Sequence, residues 1–336
     1  MLVKSPAAAP DQPDSAERAS CGLRERLSKS VRRANDFVPL PYATSVSVVS
    51  SAVELTPPGP RGIPPLFARL VDDSALFPPA DVAMPEALRA HFESRSGEHA
   101  GVLGVFLCQA SRLPELITEL IKLKPKQPLP LSLIIDTGLG GVPKAISIVE
   151  SRSELLSLRM VEMPAPSDVD EVWLERVSEF VPEDVVRVVE PRRGVGWLDG
   201  VHKVIEHGSW PKIRCGGVSS ENFPSVDEVA DFLSVVSGAD GASFKATNSL
   251  HRAVRHEDPE TGIPHHGFLN LLVAAARSLS GGNVRAALSS TDGRALADEA
   301  RGLSEQAGKA VRALFASYAS ATFDQPVGDL EELGLL

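Results

Sequence analysis

From about residue 62 onward, short apolar runs alternate with segments of about 10 to 15 residues whose apolar positions recur at helical spacing. The strand-like runs are "LFARLVDD" (66–73), "GVLGVFLC" (101–108), "PLSLIID" (130–136), "LSLRMVEM" (156–163), "DVVRVVE" (184–190), "PKIRC" (211–215), "GASFKAT" (241–247) and "NVRAALSS" (283–290). Between them, Leu113, Leu116, Ile117, Leu120 and Ile121 share one helical face, as do Val226, Val229, Leu233 and Val236. Proline or a capping residue opens several of these segments, as in "MPEALRAHF", "SRLPELITEL", "SDVDEVWLERV" and "PSVDEVADFL". The segment "GFLNLLVAAARSL" is apolar on almost every side, which predicts a helix buried on more than one face.

Eight strand–helix units in roughly 250 residues predict a (β/α)8 TIM-type barrel, with residues 62–336 as a single domain. A doubly wound open sheet is the alternative, because a strand count does not establish closure. Against it, no GxGxxG follows the first strand, and "TGLGG" (137–141) lacks the spacing of a nucleotide fingerprint. Residues 1–61 are rich in Pro, Ser and Ala and lead into "TPPGPRGIPP" (56–65); they predict a disordered tail, with a short helix around 22–33 as an alternative.

Composition narrows the function classes. With 43% hydrophobic and 23% charged residues the chain has the make-up of a globular protein. A net charge of −10 is the wrong sign for a phosphate backbone, so nucleic acid is not an expected partner. The cysteines, Cys21, Cys108 and Cys215, are scattered and never form CxxC, which argues against a disulfide framework or structural zinc and for a reducing compartment. The start of the chain lacks an apolar signal core, and no run approaches about 18 apolar residues, so the expectation is a cytoplasmic protein without membrane contact. A small-molecule substrate is the expected partner, and homo-oligomerisation is left open.

In such a barrel, chemistry sits at the C-terminal strand ends. The polar residues there are Asp72 and Asp73, Asp136, Glu162, Glu190, Lys212 with Arg214, and Lys245 with Thr247. Asp136, Glu162 and Glu190 suit proton transfer or a Mg²⁺ or Mn²⁺ ion, or else pair with Arg214 and Lys245. Asp72 or Asp73 offers a general base or a metal ligand, and Asp73 a substrate contact, with a local turn as the blander role. In "KIRCGG", Gly216 and Gly217 either let backbone N–H groups approach an anion or form a tight turn, and Cys215 reads as an inert buried thiol. Strand alternation puts Ser243, Lys245 and Thr247 on one face. An inward Lys245 would act as a carbonyl nucleophile, hold an anion, or pair with a carboxylate. The loop that follows carries His251, His256, His265 and His266, half of the chain's 8 histidines; their spacing matches no zinc pattern, and His251 and His266 are candidate substrate contacts.

The segments "LVDDSALFPPADVAMPEALRAH", "KIRCGG", "FKATNSLHRAVRH", "HGFLNLL" and "SYASATFDQPVGDLEELGLL" together resemble a family of uncharacterised bacterial proteins, over about residues 62–336. That resemblance implies a discrete family and no activity. The stretch "GADGASFKAT" is similar to the Schiff-base strand of class I aldolases of the deoxyribose-phosphate aldolase type. The likeness implies that Lys245 is the amine nucleophile. It departs from that family in two respects: "KIRCGG" precedes the lysine strand, where the family's second cationic strand follows, and no Gly-Phe comes after the lysine motif.

The leading expectation is therefore an enzyme, of lyase or aldolase type, acting on a small carbonyl-bearing or anionic metabolite. Lys245 would form a Schiff base or polarise the carbonyl, Arg214 would hold the anion, and Asp136, Glu162 or Glu190 would handle protons, with no cofactor required. A divalent-metal-dependent hydrolase, isomerase or lyase and a non-catalytic metabolite- or protein-binding barrel are the alternatives.

Overall fold

Strands form where β-branched and leucine-rich runs meet the turn-rich segments between them. The computed structural model describes residues 62–336, and the expectation of a tail over 1–61 lies outside the described residues. Eight parallel strands close into a barrel: β1 (Val71–Asp73), β2 (Leu103–Gln109), β3 (Leu129–Ile134), β4 (Leu156–Pro164), β5 (Val186–Glu190), β6 (Trp210–Arg214), β7 (Phe244–Thr247) and β10 (Phe315–Ser320). Closure comes from β1, which pairs with β2 on one side and β10 on the other. This is the (β/α)8 architecture that the alternating pattern predicts, and the open sheet is set aside.

Helices α1 (Met84–Ser94), α2 (Leu113–Leu123), α3 (Val142–Glu150), α4 (Glu171–Phe180), α5 (Trp197–Glu206) and α6 (Val226–Ser237) each follow a strand. Proline stands in the first turn of α1, α2 and α3, and side chains cap α4 and α6. Asp170 accepts the Trp173 amide at 2.7 Å, and Ser225 with Glu228 forms a reciprocal capping box on α6.

The eighth strand is a correction. Residues 283–290, expected to be extended, form the short helix α8 (Val284–Ser289), capped by the Asn283 side chain on the Ala286 amide. Val284, Ala287 and Leu288 recur at helical spacing, and alanine favours the helix. The closing strand is instead "FASYAS", whose serines and alanines carry little strand propensity. Its place is fixed by tertiary packing: Phe315 stacks on Phe244 and Tyr318 on Phe268.

The connection from β7 to β10 is correspondingly long. It holds a hairpin of β8 (His256–Glu257) and β9 (Pro264–His265), then α7 (Phe268–Ser280), α8, α9 (Gly293–Gly302) and α10 (Glu305–Leu314); α11 (Asp324–Glu332) follows β10. As expected, α7 is buried on all sides, from Phe268 through Ala276. Its one polar buried residue, Asn270, is fully satisfied: the amide donates to the carbonyls of Ala287 (2.7 Å) and Ser290 (2.8 Å), and its oxygen accepts the Arg255 N–H (2.7 Å).

Two apolar layers lie between barrel and helices, one centred on β2 to β5 with α1 to α4, the other on β6, β7 and β10 with α5 to α11. A third, small cluster of Val105, Leu107 and Ala319 is separate from both. No helix among the described residues is long and apolar enough to cross a membrane.

Candidate active site at the barrel mouth

The bore of the barrel is lined by alternate residues of each strand, and towards the C-terminal ends of β4 to β7 these include Glu162, Glu190, Lys212, Arg214 and Lys245. Lys245 of β7 is the centre. Its Nζ lies 2.7 Å from Asp72 Oδ2 on β1 and 2.6 Å from Glu162 Oε1 on β4, with Met160 Sδ at 3.6 Å. Ser317 Oγ donates to Asp72 Oδ2 (2.5 Å) and Ser132 Oγ to Glu162 Oε1 (2.6 Å). The second Glu162 oxygen meets Lys212 Nζ at 3.1 Å, Lys212 reaches Glu190 Oε2 at 3.0 Å, and Glu190 Oε1 accepts Arg214 Nε at 2.6 Å.

Three carboxylates and three cations thus alternate in one chain: Asp72, Lys245, Glu162, Lys212, Glu190, Arg214. It rises from the sealed interior towards solvent. Side-chain exposure is 1% for Asp72, Lys245 and Glu162, 10% for Lys212, 14% for Glu190 and 41% for Arg214. Burial of this kind is tolerable only because each charge has an opposite neighbour.

The electrostatics follow from the pairing. Burial alone would lower the Lys245 pKa, but Asp72 and Glu162 outweigh it and hold the ammonium above its ordinary range. Burial would raise the Glu162 carboxyl; Lys245 and then Lys212 hold it well below the carboxylate range instead. Glu190 is lowered in the same way by Lys212 and Arg214, and Lys212 is raised by Glu162 and Glu190 against its own burial. Lys245, Glu162, Lys212 and Glu190 are therefore ionised at neutral pH.

The remaining sequence candidates divide. Thr247 shares the inward face of β7 and sits beside Arg214 in register, its hydroxyl 3.0 Å from Asn248 Oδ1. Asp73, expected in the site, turns outward: its oxygens take the Ala75 amide (3.0 Å) and His91 Nδ1 (2.9 Å), so Asp72 occupies the bore in its place. Asp136 is exposed and ties the Ser111 amide at 3.1 Å, together with the Ser111 hydroxyl. That binds the β3 end to the start of α2 and takes Asp136 out of the bore.

Gly216 and Gly217 are packing positions. A Cβ on Gly216 would come within 2.0 Å of Ser249 Oγ, and one on Gly217 within 2.8 Å of Asn222, so glycine lets the loop after β6 close on the loop after β7 and on itself. His266 is fully buried between those loops, with Nε2 2.8 Å from the Pro224 carbonyl and Nδ1 3.3 Å from Arg255 Nη1. It is a structural link rather than a substrate contact. Burial, helped by Arg255, pushes its pKa down to about 4, so the ring is neutral and donates from Nε2. His251 is half-buried, its ring 6.5 Å from His265, which packs 5.2 Å from His256 and stacks on Phe223. Cys215 is sealed, and burial pushes its thiol up to about 12, in keeping with an inert role.

Two further groups belong to the site that the strand-end reading passed over. Ser132 and Ser317 orient the inner carboxylates, and Ser132 is signalled by the one polar residue inside "PLSLII". Among the described residues no group of three or more His, Cys, Asp or Glu side chains converges on a point that could hold a metal ion. The expected carboxylate trio is divided: Asp136 is spent on Ser111, while Glu162 and Glu190 are spent on lysine and arginine. The chain was compared with protein-family models and with curated proteins, and it matches none of them.

Proposed function

We propose that the chain is an enzyme of lyase or aldolase type acting on a small anionic carbonyl compound at the C-terminal mouth of the barrel. The observation that carries this reading is the graded exposure of the ion-paired ladder. Its outermost cation, Arg214, engages Glu190 through Nε alone, and its Nη groups have no partner among the described residues. That fork suits a carboxylate or phosphate.

The chemistry then falls to the three outer members. A substrate anion drawn onto Arg214 competes with Glu190 for that guanidinium. Glu190 loses part of the charge that depresses its pKa and becomes a better base when substrate is present. Lys212, next to it, carries N–H donors towards the bore and polarises a carbonyl oxygen placed between them. Lys245 is less suited to amine attack than the aldolase likeness implies, because its nitrogen is sealed between two carboxylates and would have to lose a proton held tightly there. In this reading it keeps Glu162 ionised and Lys212 in position.

A panel of small 2-oxo acids, aldehydes and sugar phosphates, followed by NMR with purified full-length chain, tests the proposal. Turnover of at least one class is expected, with kcat/KM reduced about a hundredfold in Arg214→Gln. Borohydride added to the same mixtures should leave Lys245 unmodified in peptide mass analysis, and a reduced adduct there would return the amine role to Lys245. The mutual saturation of the ladder favours a second reading, a non-catalytic barrel whose charges are structural. Neither turnover nor saturable binding anywhere in the panel would support it over the first.

A further inference from the structure

The bore has two unlike halves. On β4 to β7 its inward positions carry Glu162, Glu190, Lys212, Arg214 and Lys245. On β2, β3 and β10 they carry Val105, Leu107, Ile134 and Ala319, together with Ser132, Ser317 and, at the end of β2, Gln109. Register fixes that assignment: Leu107 lies opposite Ser132, Ile134 lies opposite Glu162, and Ala319 stands two residues beyond Ser317. Ser132, Glu162 and Ser317 all reach groups inside the bore, so these apolar residues face it as well.

An apolar layer inside a barrel is ordinarily plain core. This one is distinguished by where it ends. Val105, Leu107 and Ala319 are buried, but the wall continues into Ile134 and Phe77, both only half-buried, and Phe77 comes from the loop after β1 at the C-terminal face. It therefore runs up to the mouth, facing the strands that end in Glu190 and Arg214. A purely hydrophilic anion has no use for it.

Resting on the reading of Arg214 as an anion site, we propose that the substrate is a 2-oxo monocarboxylate bearing a short apolar side chain. The carboxylate lies on the Arg214 fork, and the apolar group lies against Leu107, Ile134, Ala319 and Phe77. Specificity then comes from the apolar wall and affinity for the head group from Arg214. Each methylene buried against such a wall should tighten binding about fourfold.

Isothermal titration of the full-length chain with pyruvate, 2-oxobutanoate, 2-oxopentanoate and 4-methyl-2-oxopentanoate tests this without any substitution. Affinity should rise stepwise by about fourfold per added carbon. Succinate, with a second charge in place of the apolar group, should bind no better than pyruvate. Phe77→Ala, at a half-exposed loop position, should flatten the series, and Arg214→Gln should weaken every member by a similar factor. Equal affinity across the series in wild type overturns the apolar-wall inference and leaves the Arg214 site standing. Absence of binding by any member, pyruvate included, overturns the Arg214 reading itself. A rise that persists unchanged in both Phe77→Ala and Leu107→Ala, each checked for a native melting transition, moves the apolar contact elsewhere and sinks the proposal.

Discussion

Lys245 shows how much one residue's meaning depends on its neighbours. Strand alternation puts it on one face with Ser243 and Thr247, and in the structure Lys245 and Thr247 face the bore. Its partners were less legible. Glu162 could be read as a strand-end acid, but Asp72 could not be told from Asp73, because β1 is only three residues long and gives no alternation to count. The choice is made by an irregularity in β2, where Val71 faces Leu103 and Asp73 faces Phe106. Gly104 sits in that gap, and a Cβ there would come within 2.1 Å of Asp72 Oδ1. Glycine thus makes room for the buried carboxylate, whose Oδ1 accepts the Val105 amide at 2.9 Å. Removing the ammonium should be severe: Lys245→Met leaves Asp72 and Glu162 buried without their shared cation and is expected to destabilise the chain by about 3–5 kcal/mol. Lys245→Met with Glu162→Gln should recover part of that loss, since one stranded charge is gone. Urea denaturation of both variants checks this, and a double variant no more stable than the single one would show that the pair is not what holds the lysine.

At the level of elements, patterning identified what periodicity encodes and missed what packing decides. Proline starts, the Ser225 cap and the all-round apolar α7 were readable. The closing strand was not, because a run of serines and alanines becomes a strand only between β7 and β1. The loops after β6 and β7, whose sequences suit either ligand contacts or turns, are fastened to each other through Gly216, Phe223 and His266. That fastening has a pH dependence with a definite sign. The His266 ring has a folded pKa of about 4, against about 6.5 in an unfolded chain, so protons bind the unfolded state more readily in between. Its contribution is complete above pH 6.5 and is lost as pH falls towards 4, by on the order of 3 kcal/mol in total. The half-buried His251 and His265, also lowered, add in the same direction. Glu162 and Glu190 lose their contribution only at more acid pH, because their folded pKa values are depressed below the unfolded carboxylate range. Stability measured in urea from pH 7 to 4 should therefore fall more steeply for wild type than for His266→Gln. Parallel slopes would remove His266 as the cause.

For the molecule as a whole, closure of the barrel is the property that brings the ladder together, since Asp72 comes from the first strand and Lys245 from the seventh. The seam beside β1 is short, because β1 contributes only Val71, Asp72 and Asp73 to the pairing with β10. Two devices reinforce it. Inside the bore, Ser317 and Lys245 both bind Asp72. At the opposite end, Arg312 of α10 sends its guanidinium to the carbonyls of Ala68 and Arg69 ahead of β1, at 3.2 Å each, and to those of Phe315 and Ala316 at the start of β10. No carboxylate pairs directly with Arg312 among the described residues, and burial pushes its pKa down to about 10, partly offset by Asp72. A cation kept at that cost in desolvation is explained by the four carbonyls it gathers across one seam. Arg312→Met keeps most of the apolar stem and removes every donor. It should destabilise the chain by about 2–4 kcal/mol. If the role is to close the barrel, the loss will be local before it is global. Amide hydrogen exchange should accelerate first in Val71–Asp73 and Phe315–Ser320, ahead of β3 and β4, which pair along their whole length. Opening there also frees Asp72 from Lys245, so the same variant should weaken anion binding at Arg214 less than Arg214→Gln does but more than Phe77→Ala does. Uniform acceleration across all eight strands would instead mark Arg312 as a contributor to general stability with no special hold on the seam.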